Sequence, residues 1–136
     1  YDLSPLSGSI LGNMSARGVV GTDDNVLISG FIVGDVASAT VVVRALGPSL
    51  PAGVTHPLSN PVLTIFDSNG SEVATNDNWQ SDPNSADVQL RGLAPGDPGE
   101  SALLLNLPAG AYTGVVSGVA GGTGVGLVEV YDLQAP

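Results

Sequence analysis

The sequence predicts an all-β fold, an antiparallel and jelly-roll-like β-sandwich of about eight or nine strands preceded by an extended N-terminal arm. Three observations lead there. Hydrophobic residues make up 43% of the 136-residue chain but aromatics only 4%, so a core must be built from Val, Leu, Ile and Ala, types that suit pleated strands. The 19 Gly and 10 Pro are scattered between short apolar runs, as they are where turns are many. Those runs recur at spacings of ~8–12 residues without a convincing amphipathic helix, the pattern of a sandwich. The length is that of one domain with its own core.

Residues 1–12 mix Ser, Pro and Gly with spaced Leu3, Leu6, Ile10 and Leu11, and read as the arm; residues 13–136 read as the single sandwich domain. A strand over 16–20, a turn at Thr22-Asp23-Asp24-Asn25 and a buried strand over 26–33 follow. Gly34-Asp35 marks a turn before the strand 39–46, whose Val41-Val42-Val43 disfavours helix. Residues 47–60 hold three prolines and two glycines and form a crossover loop. The run 63–79 is a hairpin, two alternating segments about Asp67-Ser68-Asn69-Gly70, opening into the polar loop Asn76-Asp77-Asn78-Trp79. Residues 85–91 are taken as a short strand. Strands over 101–107, 111–117 and 125–132 then alternate with a Pro108-Ala109-Gly110 turn and a glycine-rich turn at 118–124.

Thirteen acidic residues face three arginines and no lysine, for a net charge of −10. Such a balance repels nucleic acid and anionic lipid, and no apolar run approaches the ~20 residues of a bilayer span, so neither nucleic-acid binding nor membrane insertion is expected. The absence of cysteine removes thiolate chemistry and disulfides. Starting at Tyr1 without a Met suggests a processed protein or an excised repeat.

Several segments resemble a known repeat: Gly30-Phe31-Ile32-Val33, residues 42–50 (Val-Val-Arg-Ala-Leu-Gly-Pro-Ser-Leu), Leu63-Thr64-Ile65-Phe66-Asp67, Asn76-Asp77-Asn78-Trp79, residues 107–113 and residues 128–133. Together they resemble a β-repeat found in tandem in large exported bacterial surface proteins. The second half is more distantly similar to the bacterial pre-peptidase C-terminal domain. The resemblance implies a non-catalytic β-sandwich, extracellular or at the cell surface, of a group whose members sometimes bind calcium or glycans.

Tyr1-Asp2-Leu3 repeats Tyr131-Asp132-Leu133, as though the chain were cut at equivalent points of an array. The expected assembly interface is therefore Tyr1, Asp2, Leu3, Leu6 and Ile10 with Tyr131 and Leu133, copies joining head to tail into a fibre or layer. A different expectation is an accessory module that binds glycans or cell-surface proteins. No cofactor is required by the sequence, but Asp67, Asn69, Asn76, Asp77 and Asn78 offer the hard oxygen ligands that Ca²⁺ takes, while being equally the ordinary residues of turns. Trp79 would serve a glycan as a stacking surface if exposed, and otherwise packs over the end of the sandwich. Arg44, amid valines, calls for a carboxylate such as Glu129 or Asp67 unless it faces solvent. A single histidine, His56, and no nucleophile–base pair leave no catalytic set to single out, and the expectation is a non-enzyme.

Overall fold

The computed structural model describes residues 14–22 and 25–133. The proposed arm, 1–12, lies outside the described residues. Among the described residues six strands carry the fold: β1 (Met14–Val20), β2 (Leu27–Leu46), β3 (Pro61–Phe66), β4 (Glu72–Asn76), β5 (Ser101–Gly118) and β6 (Gly124–Asp132). They hydrogen-bond antiparallel in the order β1-β6-β2-β5-β3-β4.

Two strands are long enough to serve two layers. Residues 27–33 of β2 pair with 110–116 of β5, which pairs in turn with β3, giving a first layer β2-β5-β3-β4. Beyond a register slip between Val33 and Ser38, residues 41–46 of β2 lie between β6 and 101–105 of β5, giving a second layer β1-β6-β2-β5. Strands that bend from one sheet into the other make the corners of a β-sandwich. Among the described residues, two pairs of expected strands merge for this reason: Gly34-Asp35 and Pro108-Ala109-Gly110 bend continuous strands and do not end them. The corner is braced by Tyr112, whose Oη donates to Pro108 O at 2.6 Å and whose ring stacks on Phe31 at 5.6 Å between centroids.

Phe31, Leu63, Ile65, Tyr112 and Val116 from the first layer meet Val41, Val43, Leu103, Val128 and Val130 from the second in one buried core. The outer face of the second layer is also covered. Val42 and Ala102 there pack under Trp79 and Val88 from the segment that links β4 to β5. Val41, Val42 and Val43 are consequently all buried, the signature of a strand with both faces occupied.

Within that covering segment the expected strand is a helix, α1 (Ser85–Leu90). Asp82 Oδ2 accepts the Asn84 N–H at 3.0 Å and sets the turn, Arg91 pairs with Asp87 one helical turn back, and only Val88 is buried while Leu90 is solvent-facing. A single apolar contact at this site suits one helical face and gives a strand no second inward residue.

Candidate functional site

The β3–β4 hairpin is where the sequence places its ligand chemistry, and its two ends differ. At the turn, Asp67 Oδ1 accepts the N–H groups of Asn69 (2.9 Å) and Ser71 (3.0 Å), and Gly70 N–H donates to Asp67 O (3.0 Å), with Gly70 at φ 77°. This is the Asx chemistry of a turn. At the other end β4 finishes in Asn76, paired opposite Leu63. The five-residue strand puts roughly 15 Å between the two ends. Asp67 and Asn69 therefore do not share a coordination shell with Asn76, Asp77 and Asn78.

Asn76 is buried, and its amide joins elements: Oδ1 accepts from Ala102 N (3.1 Å) and Nδ2 donates to Asn78 O (3.0 Å). The Asn78 amide, oriented by its partners, donates to Asp77 O and Pro98 O, each at 3.1 Å. Asn69 at the turn and Asp77 at the other end present side chains to solvent without a bond to the fold, and Asp77 is the one beside a cavity. It opens on a cleft of ≈ 350 Å³ lined by Val62, Thr75, Asn76, Asp77, Ser81, Asp82 and Pro83. Among the described residues no group of three or more His, Cys, Asp or Glu is placed to hold a metal.

Trp79 lies beside this cleft but faces away from it. At 8% exposure it packs against Val42, Val88 and Ala102, and its N–H donates to Glu100 O at 2.8 Å along the backbone. The ring is part of the second core and offers no face to a sugar, which corrects the glycan-contact assignment.

Arg44 finds its carboxylate directly across the ladder in Glu129. Nε donates to Glu129 Oε1 at 3.0 Å, Nη1 to Leu93 O at 3.0 Å and Nη2 to the Tyr131 hydroxyl at 3.2 Å, while the guanidinium lies 5.2 Å from the Tyr131 ring centroid. The pair thus fastens the covering segment to the sheet. Burial, with Glu129 nearby, raises the Tyr131 hydroxyl above its ordinary value against the lowering pull of Arg44. Tyr131 and Leu133, assigned to assembly, are engaged inside the chain: both pack on the second core, and Leu133 N–H donates to Thr40 O at 3.0 Å. Their counterparts Tyr1, Asp2, Leu3, Leu6 and Ile10 lie outside the described residues.

Glu100 was not singled out by the sequence. It is fully buried (0% exposed) and faces three backbone N–H groups and one hydroxyl: Oε2 accepts from Gly47 N (2.8 Å), Ser49 N (2.9 Å) and Ser49 Oγ (2.7 Å), and Oε1 from Asp97 N (3.1 Å). It clamps the loop after β2 to the loop before β5. His56, the sole histidine, is exposed on the crossover loop at φ 55°.

No family model and no curated protein matches the sequence. Among solved structures, the chain is similar to the pre-peptidase C-terminal domain of a collagenase from Bacillus anthracis, with a TM-score of 0.54 and 12% identity over 87% of this chain and 88% of that one. The likeness establishes the sandwich fold and its nearly complete extent. No helix among the described residues is long and apolar enough to cross a membrane.

Proposed function

We propose that this chain is a non-catalytic structural module of an exported bacterial protein, which joins copy to copy, head to tail, through its termini and sheet edges into a surface fibre or layer. The observation that carries the reading is the placing of the two ends. Met14 pairs with Val130, so the chain before β1 and the chain after Leu133 issue from one corner. Beside that corner the outer side of β1 and residues 27–33 of β2 carry no partner strand among the described residues. Unpaired edges next to chain ends are where one molecule extends the sheet of another.

Further support comes from Tyr1-Asp2-Leu3 recurring at 131–133, as in a tandem array, and from the fold likeness to the pre-peptidase C-terminal domain of a collagenase. Sedimentation and negative-stain microscopy of the full chain and of a variant lacking residues 1–12 test the proposal. Concentration-dependent assemblies that the deletion abolishes are expected; strictly monomeric particles under all near-native conditions reject it.

A second reading, an accessory module that binds Ca²⁺ or a glycan, rests on the cleft that carries Asp77 and Asp82. A ligand that binds the native state raises the melting temperature with concentration. A Ca²⁺-dependent rise that Asp77→Ala removes would support this reading, and its absence would take the metal away.

A further inference from the structure

The outward face of the first layer carries no charge. Pairing across the layer sets Ile28, Val115, Thr64 and Thr75 in one row and Gly30, Thr113 and Phe66 in the next. These positions alternate with the buried Phe31, Val116, Leu63 and Ile65, so they point away from the core. Every second position of 28–32, 111–117 and 62–66, taken from the first, holds Ile, Gly, Ala, Thr, Val, Ser or Phe. Ile28 and Ile32 are 59% and 62% exposed. An antiparallel sheet that keeps one face in water normally alternates apolar with polar residues, and here the outward set is apolar or hydroxylic. The Thr64 and Thr75 hydroxyls bond each other at 3.1 Å, so covering them leaves less polar surface to desolvate.

The outward face of the second layer differs in both respects. It carries the Arg44–Glu129 pair, and the chain itself covers it, with Trp79 and Val88 over Val42 and Ala102. Asp67 and Glu72 sit only at the rim of the uncharged face, at the turn end of the β3–β4 hairpin.

Charge and size choose the occupant. Two copies of net charge −10 repel each other except where uncharged surface meets uncharged surface, and a basic partner, which the acidic remainder would attract, finds no carboxylate on this face. Four strands ~4.8 Å apart, paired over stretches of up to seven residues at ~3.4 Å each, give roughly 19 by 24 Å, or about 450 Å² per copy. That is the size of the functional patches of monomers, ~300–600 Å². Two such faces bury about 900 Å², short of the ~1,200–2,000 Å² of stable complexes. A contact of this class holds between molecules already kept close, and copies joined through their ends are so kept, at effective concentrations of order millimolar.

We propose that the outward face of β2-β5-β3-β4 is a lateral docking surface for the same face of a second copy, packed sheet on sheet. The contact is isologous and closes on itself, so it pairs two head-to-tail rows and does not lengthen one. It goes beyond the copy-to-copy reading above, which concerns the chain ends, and free modules at millimolar concentration form it too.

Val115 lies near the middle of the face, where an isologous contact brings a residue against its own counterpart, and the absence of cysteine makes a crosslink there specific. The full chain with Val115→Cys is treated with a short bis-maleimide at millimolar concentration, and its rate is normalised to labelling by a mono-maleimide. Covalent dimer is expected at least about tenfold faster than from Gln89→Cys on the exposed side of α1, the factor that separates a contact from chance collision by 1.4 kcal/mol. Adding Ile28→Glu/Ile32→Glu should leave a cooperatively melting protein, since both side chains are solvent-facing, and remove the dimer. Equal rates at 115 and 89, or a dimer that survives the two glutamates, overturn the proposal. So does a dimer that forms only after residues 1–12 are deleted, which makes this chain's own segment the occupant. Face dimer in a chain that forms no fibre rejects the head-to-tail reading and leaves this one standing; fibres without face dimer do the reverse.

Discussion

Replacing Glu100 measures how much of the fold depends on one buried carboxylate. In Glu100→Ala, four donors lose their acceptor: the N–H groups of Gly47, Ser49 and Asp97 and the Ser49 hydroxyl. At about 1 kcal/mol of net stability per bond, the loss is about 4 kcal/mol. That is a large share of the 5–15 kcal/mol typical of a domain, and it lowers the melting temperature by roughly 15 °C at about 4 °C per kcal/mol. Glu100→Gln has nearly the same shape and keeps one acceptor oxygen. Turned toward the Gly47 and Ser49 donors, it places its NH₂ group against the single Asp97 N–H, for a loss of about 1–2 kcal/mol. Asp87→Ala, on the exposed face of α1, is the control and stays within about 0.5 kcal/mol. Urea titrations at constant pH, followed by Trp79 fluorescence, give all three values with unchanged m if the native state keeps its extent. A loss below about 1 kcal/mol for Glu100→Ala, or equal losses for the Ala and Gln variants, would refute the assignment of Glu100 as the clamp between the two loops.

Arg44→Ala breaks the contacts to Glu129, Leu93 and Tyr131 and leaves a mostly buried carboxylate, so about 3 kcal/mol is expected by chemical denaturation, whereas Arg44→Met/Glu129→Leu together return close to wild type. Gly47→Ala would drive a Cβ into the backbone carbonyl of Leu58, an overlap that no rotamer relieves; a loss of about 3 kcal/mol or failure to fold is expected, read by soluble yield and thermal melting. Tyr112 and Tyr131 both have hydroxyls raised above 10.0, chiefly by burial. The unfolded chain therefore releases these protons first, so their contribution is complete below pH 10.0 and is lost as pH climbs from there through the folded values. Stability should fall with a steepening slope above pH 10.0, and the double change Tyr112→Phe/Tyr131→Phe should flatten it, measured by urea midpoint against pH.

Where the chemistry of a segment was local, the sequence was sufficient. The hairpin about Asp67–Gly70 has its turn written in Asx and glycine residues, and β6 buries Val128 and Val130 in the alternation its residues show. The crossover loop at 47–60 follows from its prolines. What was not legible depends on partners far away in the chain. Gly34-Asp35 and Pro108-Ala109-Gly110 look like strand ends, and only the pairing of β2 with β5 on both sides of each bend turns them into corners. Glu100, between Gly99 and Ser101, looks like a solvated loop residue; its burial exists because a loop some fifty positions earlier supplies the N–H groups of Gly47 and Ser49. Trp79 reads equally as platform or packing until Val42 and Ala102 are known to lie on a sheet face that needs covering. The Ca²⁺ set of five was assembled from nearness in sequence, and β4, by separating the turn from the loop, divides it.

The corner also links the architecture to the way the module is joined. A strand that stays in one sheet gains neighbours along its whole length, but β2 leaves the second layer at the register slip after Val33, while β6 stops at Asp132 opposite Val41. Among the described residues, the seven before the slip therefore have a partner strand on one side, β5. Ile28 and Ile32 are solvent-facing on that stretch, where strand edges that stay unpaired usually carry a charge. The copy-to-copy reading therefore predicts that Ile28→Lys or Ile32→Lys weakens assembly and leaves folding intact, whereas a substitution of Asp77 in the acidic cleft leaves assembly unchanged.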